Sequence, residues 1–397
     1  MPPETDCIVV GAGLVGSIAA LGLAQEGRQV AVLESRPGAV AAGDDVRGLV
    51  LSAPSVDVLR TLNLWSALAP LTQPVTAIRI SQRGVFGATW LRAEESGLPA
   101  MGWCCPADRL QQALHQALES TAGVAVHWGT EFVDYAPASD AISVAFRNAR
   151  GTGRLDSRLL IGADGSASAV RAAAAIEVER VDYQQQAIVA SVAAESPQPG
   201  VAYEHFTAEG PLALLPQEGG RYVSVQCLSD ARAVQALALG DDAYETLLLR
   251  RFGTRLGRLH GLGRRRAHRL VRVRAKRVHA PRLVLLGNAA HTVHPNAAQG
   301  LNLGLRDAAH LRSLLADQQD PGSSALLQSY AQNRRQDQRF VSSFTDLLAQ
   351  GFRSPLTPAR VARTLALRAV GHSGALRKRL VSSLNGTHSS RAHGGAG

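Results

Sequence analysis

The hydrophobic pattern is clearest in residues 283–307, where a continuous apolar run is followed by a polar loop and then by apolar positions at helical spacing. The run at residues 283–286 predicts a buried strand that stops at Gly287 and Asn288. A helix that begins near Gly300 would turn its free N–H groups towards the loop and favour bound negative charge there. On its own the pattern is equally typical of an ordinary strand–loop–helix crossover.

The start of the chain repeats this pattern. An apolar run at residues 7–10 leads into three glycines with the spacing Gly-x-Gly-x-x-Gly, namely Gly11, Gly13 and Gly16. The first permits a tight turn, the second lets the backbone approach a pyrophosphate, and the third lets the following helix pack closely on the strand. A second strand at residues 29–33 ends at Glu34, where an acid would bind ribose hydroxyls. Together these features favour a dinucleotide site over a chance glycine-rich turn.

A third strand-like run, residues 158–161, delivers Asp164 to its carboxyl end, and Gly165 follows. An acid at this place can hold a ribose hydroxyl while glycine lets the chain turn beside the ligand. An Asp-Gly hairpin turn is the alternative. It fits less well because residues 167–175 favour a helix rather than a return strand.

Alternating apolar and polar residues at 79–90 and 186–228 predict an antiparallel sheet. Within it, the proline-bounded apolar segment 210–216 suits the lining of a hydrophobic pocket. The basic tract 264–277 alternates in the same way, which predicts a strand with a solvated basic face.

Two arginines are candidates for contacts to a phosphate-containing ligand. Arg47 lies in a loop and could clamp a phosphate, although a lone arginine there is more often a solvated charge. Arg109 falls in the first turn of a helix for which Asp108 is the predicted N-cap, so its side chain could reach back towards the ligand.

Composition excludes some classes of protein. The 397 residues suffice for two domains, no apolar run approaches the ~18 residues of a membrane span, and no signal peptide is evident, which predicts a cytoplasmic protein. The four cysteines have no metal-ligand spacing and suit buried positions. A net charge of +10 indicates an anionic partner, such as a membrane surface, an acidic ligand or nucleic acid. Nucleic acid is disfavoured because the basic tract lacks interleaved aromatic residues.

The three motifs, in this order, resemble those of the FAD-dependent aromatic-ring hydroxylases of the p-hydroxybenzoate hydroxylase type. They are the glycine turn, Asp164-Gly165-x-x-Ser168-x-x-Arg171, and Gly287-Asn288-Ala-Ala-His291…Pro295…Gln299-Gly300-x-Asn302. Asn288 in place of the usual acid, His294-Pro295 and segment 209–216 look like the 2-polyprenyl-6-methoxyphenol hydroxylase branch of ubiquinone biosynthesis. Ala298 departs from the pattern, because the family usually has glycine there.

The resemblance implies noncovalent FAD, reduced by NAD(P)H that docks only transiently, and hydroxylation of a phenol ring by O2 through a flavin C4a-hydroperoxide. The residues that it places at the cofactor are Gly11, Gly13, Gly16, Glu34, Arg47, Arg109, Asp164, Asn288, Pro295, Gln299, Gly300, Leu301 and Asn302. The predicted catalytic residues are His294, Pro295 and Arg47. His291 and His294 are the titratable groups nearest to the ring, and a structural role in a tight loop is the alternative for both. Neither belongs to a metal-ligand set.

We therefore predict an α/β fold: a Rossmann-like FAD-binding domain with an inserted antiparallel β-sheet substrate domain and a C-terminal helical region. The FAD-binding domain comprises residues 1–75, 101–180 and 278–325, and the substrate domain comprises residues 76–100 and 181–277. The helical region is 326–384 and the disordered tail is 385–397.

The predicted substrate is a polyprenylated phenol of ubiquinone biosynthesis, with a soluble phenol or polyketide as the alternative. A non-catalytic flavin-binding subunit of a biosynthetic complex is a further possibility. The tail offers a membrane anchor on the inner face of the cell membrane, because Leu376, Leu380 and Leu384 share one helical face beside Arg377, Lys378 and Arg379. A helix that packs its leucines on the domain is the alternative.

Overall fold

The computed structural model describes residues 5–39, 45–85, 87–295 and 298–351, together with the separate positions 373, 374, 376, 377 and 381. The first described elements are β1 (Thr5–Val10), α1 (Leu14–Gln25), β2 (Val30–Glu34), β3 (Gly48–Leu51), α2 (Ala53–Thr61), α3 (Trp65–Leu68), β4 (Gln73–Val75), β5 (Ala77–Gln82), β6 (Thr89–Arg92), β7 (Gly102–Pro106) and α4 (Ala107–Ser120). Next come β8 (Val124–Trp128), β9 (Glu131–Pro137), β10 (Ile142–Asn148), β11 (Gly151–Gly162), α5 (Ala169–Ala173), β12 (Val178–Ala194), β13 (Val201–Thr207), β14 (Gly210–Pro216), β15 (Arg221–Ser229), α6 (Asp230–Leu237) and α7 (Asp241–Phe252). They are followed by β16 (Leu259–His260), β17 (Arg266–Ala275), β18 (His279–Ala280), β19 (Leu283–Leu285), β20 (His291–Thr292), α8 (Gln299–Leu315) and α9 (Ser324–Gly351).

The first sheet has the order β18-β19-β11-β1-β2-β8, and its neighbours from β19 to β8 run parallel. Separate hydrophobic clusters cover its two faces, one with α1, α4, α8 and α9 and the other with α5. Burial on both faces explains why β1 and β2 read as continuous apolar runs. The prediction of an α/β fold is confirmed.

The carboxyl ends of four neighbouring parallel strands meet at one edge of this sheet. Gly11 follows β1, Glu34 ends β2, Asp164 follows β11, and Gly287 lies just beyond β19. Ligands of open α/β sheets bind at this edge, so the strand order brings the three sequence motifs to one place.

The second sheet has the order β20-β17-β12-β15-β14-β13-β5-β6 and is antiparallel, as predicted, except that β13 and β5 run parallel. These two strands are not joined by a hairpin, since more than a hundred residues separate them in the chain, so nothing forces them to be antiparallel. Helix α7 packs Leu248 and Phe252 on one face of the sheet, against Tyr222 and Tyr203.

A small third sheet, β3-β7-β4, packs against the other face of the second sheet. One hydrophobic cluster joins Val75 and Cys104 of the small sheet, and Met101 just before β7, to Ala202 of β13. The partly buried Ile78, Ile80 and Leu215 pack beside it. This apolar face of the second sheet is therefore covered by the small third sheet rather than exposed to solvent.

The structure differs from the sequence prediction at two local features. The prediction that Asp108 caps its helix is wrong, because α4 begins at Ala107 and Pro106 occupies the N-cap. Asp108 lies inside the first turn, where its carboxylate accepts a hydrogen bond from the backbone N–H of Arg109 at 2.8 Å. The hairpin β9–β10, which extends the first sheet through β11, was absent from the prediction.

The cysteines Cys7, Cys104, Cys105 and Cys227 are buried, as expected, and burial raises the pKa of each thiol to about 12. The C-terminal helical prediction is confirmed as far as Gly351. Beyond it, the predictions for residues 352–397 lie outside the described residues, apart from five positions. Among these, Arg377 pairs with Glu95 at 2.9 Å and Val381 is buried. None of the described helices combines the length and apolar character needed to cross a membrane.

Candidate functional site

The glycine turn after β1 requires glycine at two of its three positions. Gly11 has φ +101°, and a Cβ on it would lie 2.6 Å from the carbonyl oxygen of Ala163. A Cβ on Gly16 would lie 2.0 Å from the carbonyl oxygen of Gly11, so only glycine lets α1 approach the turn. A Cβ on Gly13 would meet no protein atom within 4 Å. The open side of the turn is therefore at Gly13.

Side chains from two distant segments hold this turn in place through Ala12, which is fully buried. Its N–H donates to Glu34 Oε2 at 2.7 Å, and its carbonyl oxygen accepts a hydrogen bond from Gln111 Nε2 at 2.8 Å. His115 Nε2 lies 2.9 Å from the same carbonyl oxygen. Gln111 and His115 were not among the predicted site residues. Their only signal in the sequence is a polar pair, four residues apart, on the buried face of an amphipathic helix.

Glu34 remains charged at this edge although it is only 6% exposed. Burial alone would raise the pKa of its carboxyl, but hydrogen bonds from Arg36 and from the Ala12 N–H lower that pKa overall. Each carboxylate oxygen has two lone pairs, so Glu34 can hold the turn and still accept from a ligand hydroxyl.

Asp164 carries an acceptor without a partner. Its Oδ2 accepts from the N–H of Val170 at 3.1 Å, whereas Oδ1 is buried and has no hydrogen bond. A buried carboxylate oxygen left unpaired is costly, and a hydroxyl of a bound ligand would satisfy it. Arg171, from the same motif, donates to the carbonyl oxygens of Ala289 at 2.8 Å and Ser166 at 2.9 Å. It thereby ties the second motif to the third.

The third motif meets the first at Val15 of α1. A Cβ on Gly287, which has φ +55°, would lie 3.0 Å from Cγ2 of Val15, and a Cβ on Gly304 would lie 2.6 Å from the same methyl carbon. Asn288, between these glycines in the chain, is exposed at the same edge. The three motifs therefore form one continuous cleft wall.

Asn302 is committed to protein contacts. Its Oδ1 accepts from the N–H of Ser52 at 2.9 Å and from the hydroxyl of Ser55 at 2.7 Å. Its Nδ2 donates to the carbonyl oxygens of Val50 and Ala298, both at 2.8 Å. The side chain thus fixes the start of α8 against β3 and α2, and it acts on a ligand only by positioning that helix.

Helix α8 begins at the predicted place, with Gln299, Gly300 and Leu301 in its first turn. Gln299 is buried, whereas Gly300 and Leu301 remain partly exposed. N–H groups in a first turn have no partner within the helix, so this end favours an anion. Ala298, the N-cap residue, has φ +50° and ψ +36°, which explains why glycine is the usual residue there.

Ala298→Gly should stabilise the protein by about 0.5–1 kcal/mol. Relief of the left-handed conformation gains roughly 1–2 kcal/mol, and the greater freedom of glycine in the unfolded chain removes about 0.4–1 kcal/mol of that gain. Denaturant unfolding measures the difference. Ala113→Gly, in the right-handed interior of α4, is the control and should destabilise the protein by about 1 kcal/mol.

A buried charge network fixes the loop before α8. His291 Nε2 lies 2.5 Å from Asp307 Oδ2, and Arg334 Nε donates to Asp307 Oδ1 at 2.6 Å. Burial alone would raise the pKa of the Asp307 carboxyl, but Arg334 and His291 outweigh it and hold that pKa well below its usual range. His291 therefore has a structural partner, in agreement with the alternative considered for it.

The contacts of the predicted catalytic residues do not by themselves indicate a catalytic role. His294 is 1% exposed, and its ring meets that of Tyr183 edge-on at 5.0 Å. Pro295 follows on the exposed side of the loop. Arg47 pairs with Asp45 through Nε at 2.9 Å and is 47% exposed. Catalytic roles for these residues stay predictions.

Arg109 is exposed in the first turn of α4. The N–H of Ala107, two residues earlier, donates to the carbonyl oxygen of Arg47 at 3.0 Å. The backbone therefore brings the two predicted phosphate-binding arginines into one region, close to the turn that Gln111 holds.

Known proteins with similar sequences identify the family of this chain. The model of the FAD binding domain family matches residues 4–345. The chain belongs to the FAD-binding domain family. Ubiquinone hydroxylase UbiL of Rhodospirillum rubrum is 34% identical over 96% of this chain and 90% of that protein. The 3-demethoxyubiquinol 3-hydroxylase of Escherichia coli is 33% identical, over 94% and 96% respectively.

The fold agrees with this family. The crystal structure of p-nitrophenol 4-monooxygenase PnpA from Pseudomonas putida superposes with a TM-score of 0.78 at 17% identity and covers 97% of this chain and 99% of that one. The predicted cofactor, FAD, and the predicted class, an FAD-dependent aromatic hydroxylase, are confirmed by the family match and the named relatives. The cleft also suits FAD physically, because Gly13 leaves space for a pyrophosphate and Asp164 Oδ1 lacks a donor.

Asn288 is expected to act as a neutral hydrogen-bond partner of FAD. Asn288→Leu should weaken FAD binding by about 1–3 kcal/mol, because it leaves a buried ligand group unpaired. Asn288→Asp should be tolerated, since the family usually has an acid there. Fluorescence titration of the apoprotein with FAD measures both, with the exposed Asn333→Leu on α9 as control. Equal affinity in wild type and Asn288→Leu would remove Asn288 from the site.

Proposed function

We propose that this FAD-dependent monooxygenase hydroxylates the aromatic ring of a polyprenylated phenol in ubiquinone biosynthesis, with NAD(P)H as transient reductant and O2 as the oxygen source. The observation that carries the proposal is the meeting of three FAD motifs at one sheet edge, beside an apolar sheet face. Two relatives named as ubiquinone-pathway hydroxylases, each more than 30% identical over nearly the whole chain, support the choice of substrate class.

The chain's own groups would bind and orient the cofactor. In this proposal the turn at Gly13 holds the pyrophosphate, Glu34 and Asp164 accept hydrogen bonds from hydroxyl groups, and Arg47 and Arg109 supply positive charge. The chemistry that FAD supplies when bound is electron transfer from NAD(P)H and activation of O2 for transfer of one oxygen atom.

The start of α8 would stabilise negative charge. The N–H groups of Gln299, Gly300 and Leu301 point out of the helix end, so they favour the anionic form of a reduced flavin. His294 and Pro295 precede this helix and would shape the side of the cleft at which the ring is held. Asn302 positions the helix end through its contacts to Ser52 and Val50.

The second sheet supplies an apolar wall for the substrate. Its face towards the small third sheet carries Ile78, Ile80, Ala213, Leu215 and Val225. Such a wall favours an aromatic ring with an apolar substituent and excludes water from the reacting atoms. A soluble phenol or polyketide would fit the same chemistry and is the alternative substrate.

Metabolite analysis of a strain that lacks the protein tests this function. We expect a polyprenylated phenol one hydroxyl short of the next intermediate to accumulate, and wild-type protein to restore the hydroxylated product. Restoration by a variant that binds no FAD would instead indicate a non-catalytic subunit of a biosynthetic complex. Unchanged ubiquinone intermediates would favour the soluble substrate.

We further propose that the protein works at the anionic inner surface of the membrane, because a polyprenylated substrate resides in the bilayer. Support comes from the net charge of +10 and from Leu376, which is 44% exposed. Leu380 and Leu384 lie outside the described residues. We expect sedimentation with anionic liposomes that falls at high salt and after truncation following Gly351. Binding that is absent, or indifferent to both changes, would leave substrate delivery to another protein.

A further inference from the structure

Glu204 is a carboxylate on the apolar wall of the second sheet. It lies in the middle of β13, directly opposite Ile80 of β5 on one side and Ala213 of β14 on the other. Directly paired residues point to the same face of a sheet, and Ile80 belongs to the cluster that meets the small third sheet. Glu204 therefore faces the small third sheet, among the side chains that would line the substrate in our proposal.

None of the hydrogen bonds or ion pairs among the described residues uses the Glu204 carboxylate, although the side chain is only partly exposed. On the opposite face of the sheet, buried polar side chains have hydrogen-bond partners. Arg251, for example, donates to Gln226 at 2.6 Å and to Thr207 at 3.1 Å. Gln82 is paired in register with Phe206, two residues beyond Glu204 on the same face, and its buried Oε1 also lacks a partner.

An unpaired carboxylate among apolar side chains is unfavourable unless a ligand completes its hydrogen bonds. Burial raises the pKa of Glu204 to about 7, which suits a group that exchanges a proton near neutral pH. Among the described residues, the titratable group that interacts electrostatically with Glu204 is the thiol of Cys227 on β15, and the Cys104 thiol on β7 lies in the cluster that contains Ile80. Both have a pKa of about 12 and are neutral at pH 7.

We propose that Glu204 accepts the hydrogen bond of the substrate's phenol hydroxyl and takes its proton as the ring attacks. The proton moves from the phenol oxygen to a carboxylate oxygen of Glu204, and the electron pair released on the phenol oxygen enters the ring and raises its nucleophilicity. This role rests on the proposed ring hydroxylation. The two histidines that the sequence predicts nearest to the ring have other contacts, since His291 pairs with Asp307 and His294 packs against Tyr183.

Substrate-dependent product formation by the holoenzyme tests the proposal in Glu204→Gln, with Glu218→Gln as the matched control. Glu218 is an exposed glutamate in the turn before β15, so its variant removes the same charge away from the wall. We expect Glu204→Gln to keep its FAD and to lose about 100-fold in kcat, which is typical when a general base is removed. Glu218→Gln should match wild type.

Two further readouts separate proton transfer from a structural role. Wild-type kcat should rise with pH through about 7, as Glu204 ionises, and Glu204→Gln should lose this limb. Phenols with electron-withdrawing substituents ionise without help, so they should restore much of the lost rate in Glu204→Gln but gain little in wild type. Glu204→Asp, which keeps the carboxylate, should retain more activity than Glu204→Gln.

Wild-type kcat and an unchanged pH profile in Glu204→Gln would overturn the proposal, as would a loss that acidic phenols do not restore. A soluble phenol serves as substrate for all variants. If wild type turns over the soluble phenol but not a polyprenylated phenol, the proposed substrate is wrong. The comparison of Glu204→Gln with wild type on the soluble phenol still tests the role of Glu204.

Discussion

Gly13→Val is expected to give a folded protein that binds no FAD and is colourless after purification. A Cβ at this position meets no protein atom within 4 Å, so the substitution should not disturb the fold. The space that the valine enters is the one that the backbone leaves for a pyrophosphate. We expect FAD affinity to fall at least about 100-fold, which corresponds to ~2.7 kcal/mol.

Gly240→Val is a close control for this variant. Gly240 is the N-cap of α7 and has φ −64° and ψ +166°, near the φ −67° and ψ 177° of Gly13 at the N-cap of α1. A Cβ there also meets no protein atom within 4 Å. Absorbance spectra measure the bound FAD of both variants, and thermal unfolding measures their stability. Normal FAD content in Gly13→Val would mean that the cofactor is misplaced in our proposal.

Asp307→Ala should lower the free energy of unfolding by about 3–5 kcal/mol, a large part of the total for a typical domain. The carboxylate is fully buried, and its removal takes from His291 its acidic partner and leaves Arg334, 6% exposed, paired with Asp337 alone. Asp57→Ala is the control. It removes an ion pair whose side chains are 65% and 56% exposed, and such pairs contribute about 0–1 kcal/mol.

The pH dependence of this difference has a defined sign. The folded pKa of Asp307 is depressed by Arg334 and His291 despite burial, so the folded state binds the proton less readily than the unfolded state does. Its contribution is fully present above the unfolded pKa of about 3.9 and is lost as the pH falls towards the folded value. Denaturant unfolding at several pH values should show the gap between wild type and Asp307→Ala shrinking below about pH 4. A gap that is constant or grows in acid would contradict this origin.

The elements that the sequence predicted are those with a local signal. Continuous apolar runs mark β1 and β2 because both faces of the first sheet are covered. Gly11 and Gly16 predict a tight turn, and in the structure a Cβ at either position would collide with a backbone carbonyl oxygen. The hairpin β9–β10 carries no such signal, since most of β9 is exposed and its alternation is weak.

The features of the site that the sequence did not predict depend on contacts between distant parts of the chain. Asn302 binds Ser52 from 250 positions away, and Gln111 reaches Ala12 across 99. No spacing rule connects such pairs. The strand that contains Glu204 was predicted, but its face could not be assigned, because the direction of its side chains depends on pairing with Ile80 and Ala213.

Reaction of the purified holoenzyme with a polyprenylated phenol, NAD(P)H and isotope-labelled O2 tests the proposed function most directly. We expect a product that gains one oxygen atom, with the label, in nearly equal amount to the NAD(P)H consumed. Gly13→Val should form none of it. NAD(P)H oxidation that yields hydrogen peroxide without a hydroxylated product, or a product whose new oxygen comes from water, would contradict ring hydroxylation of this substrate.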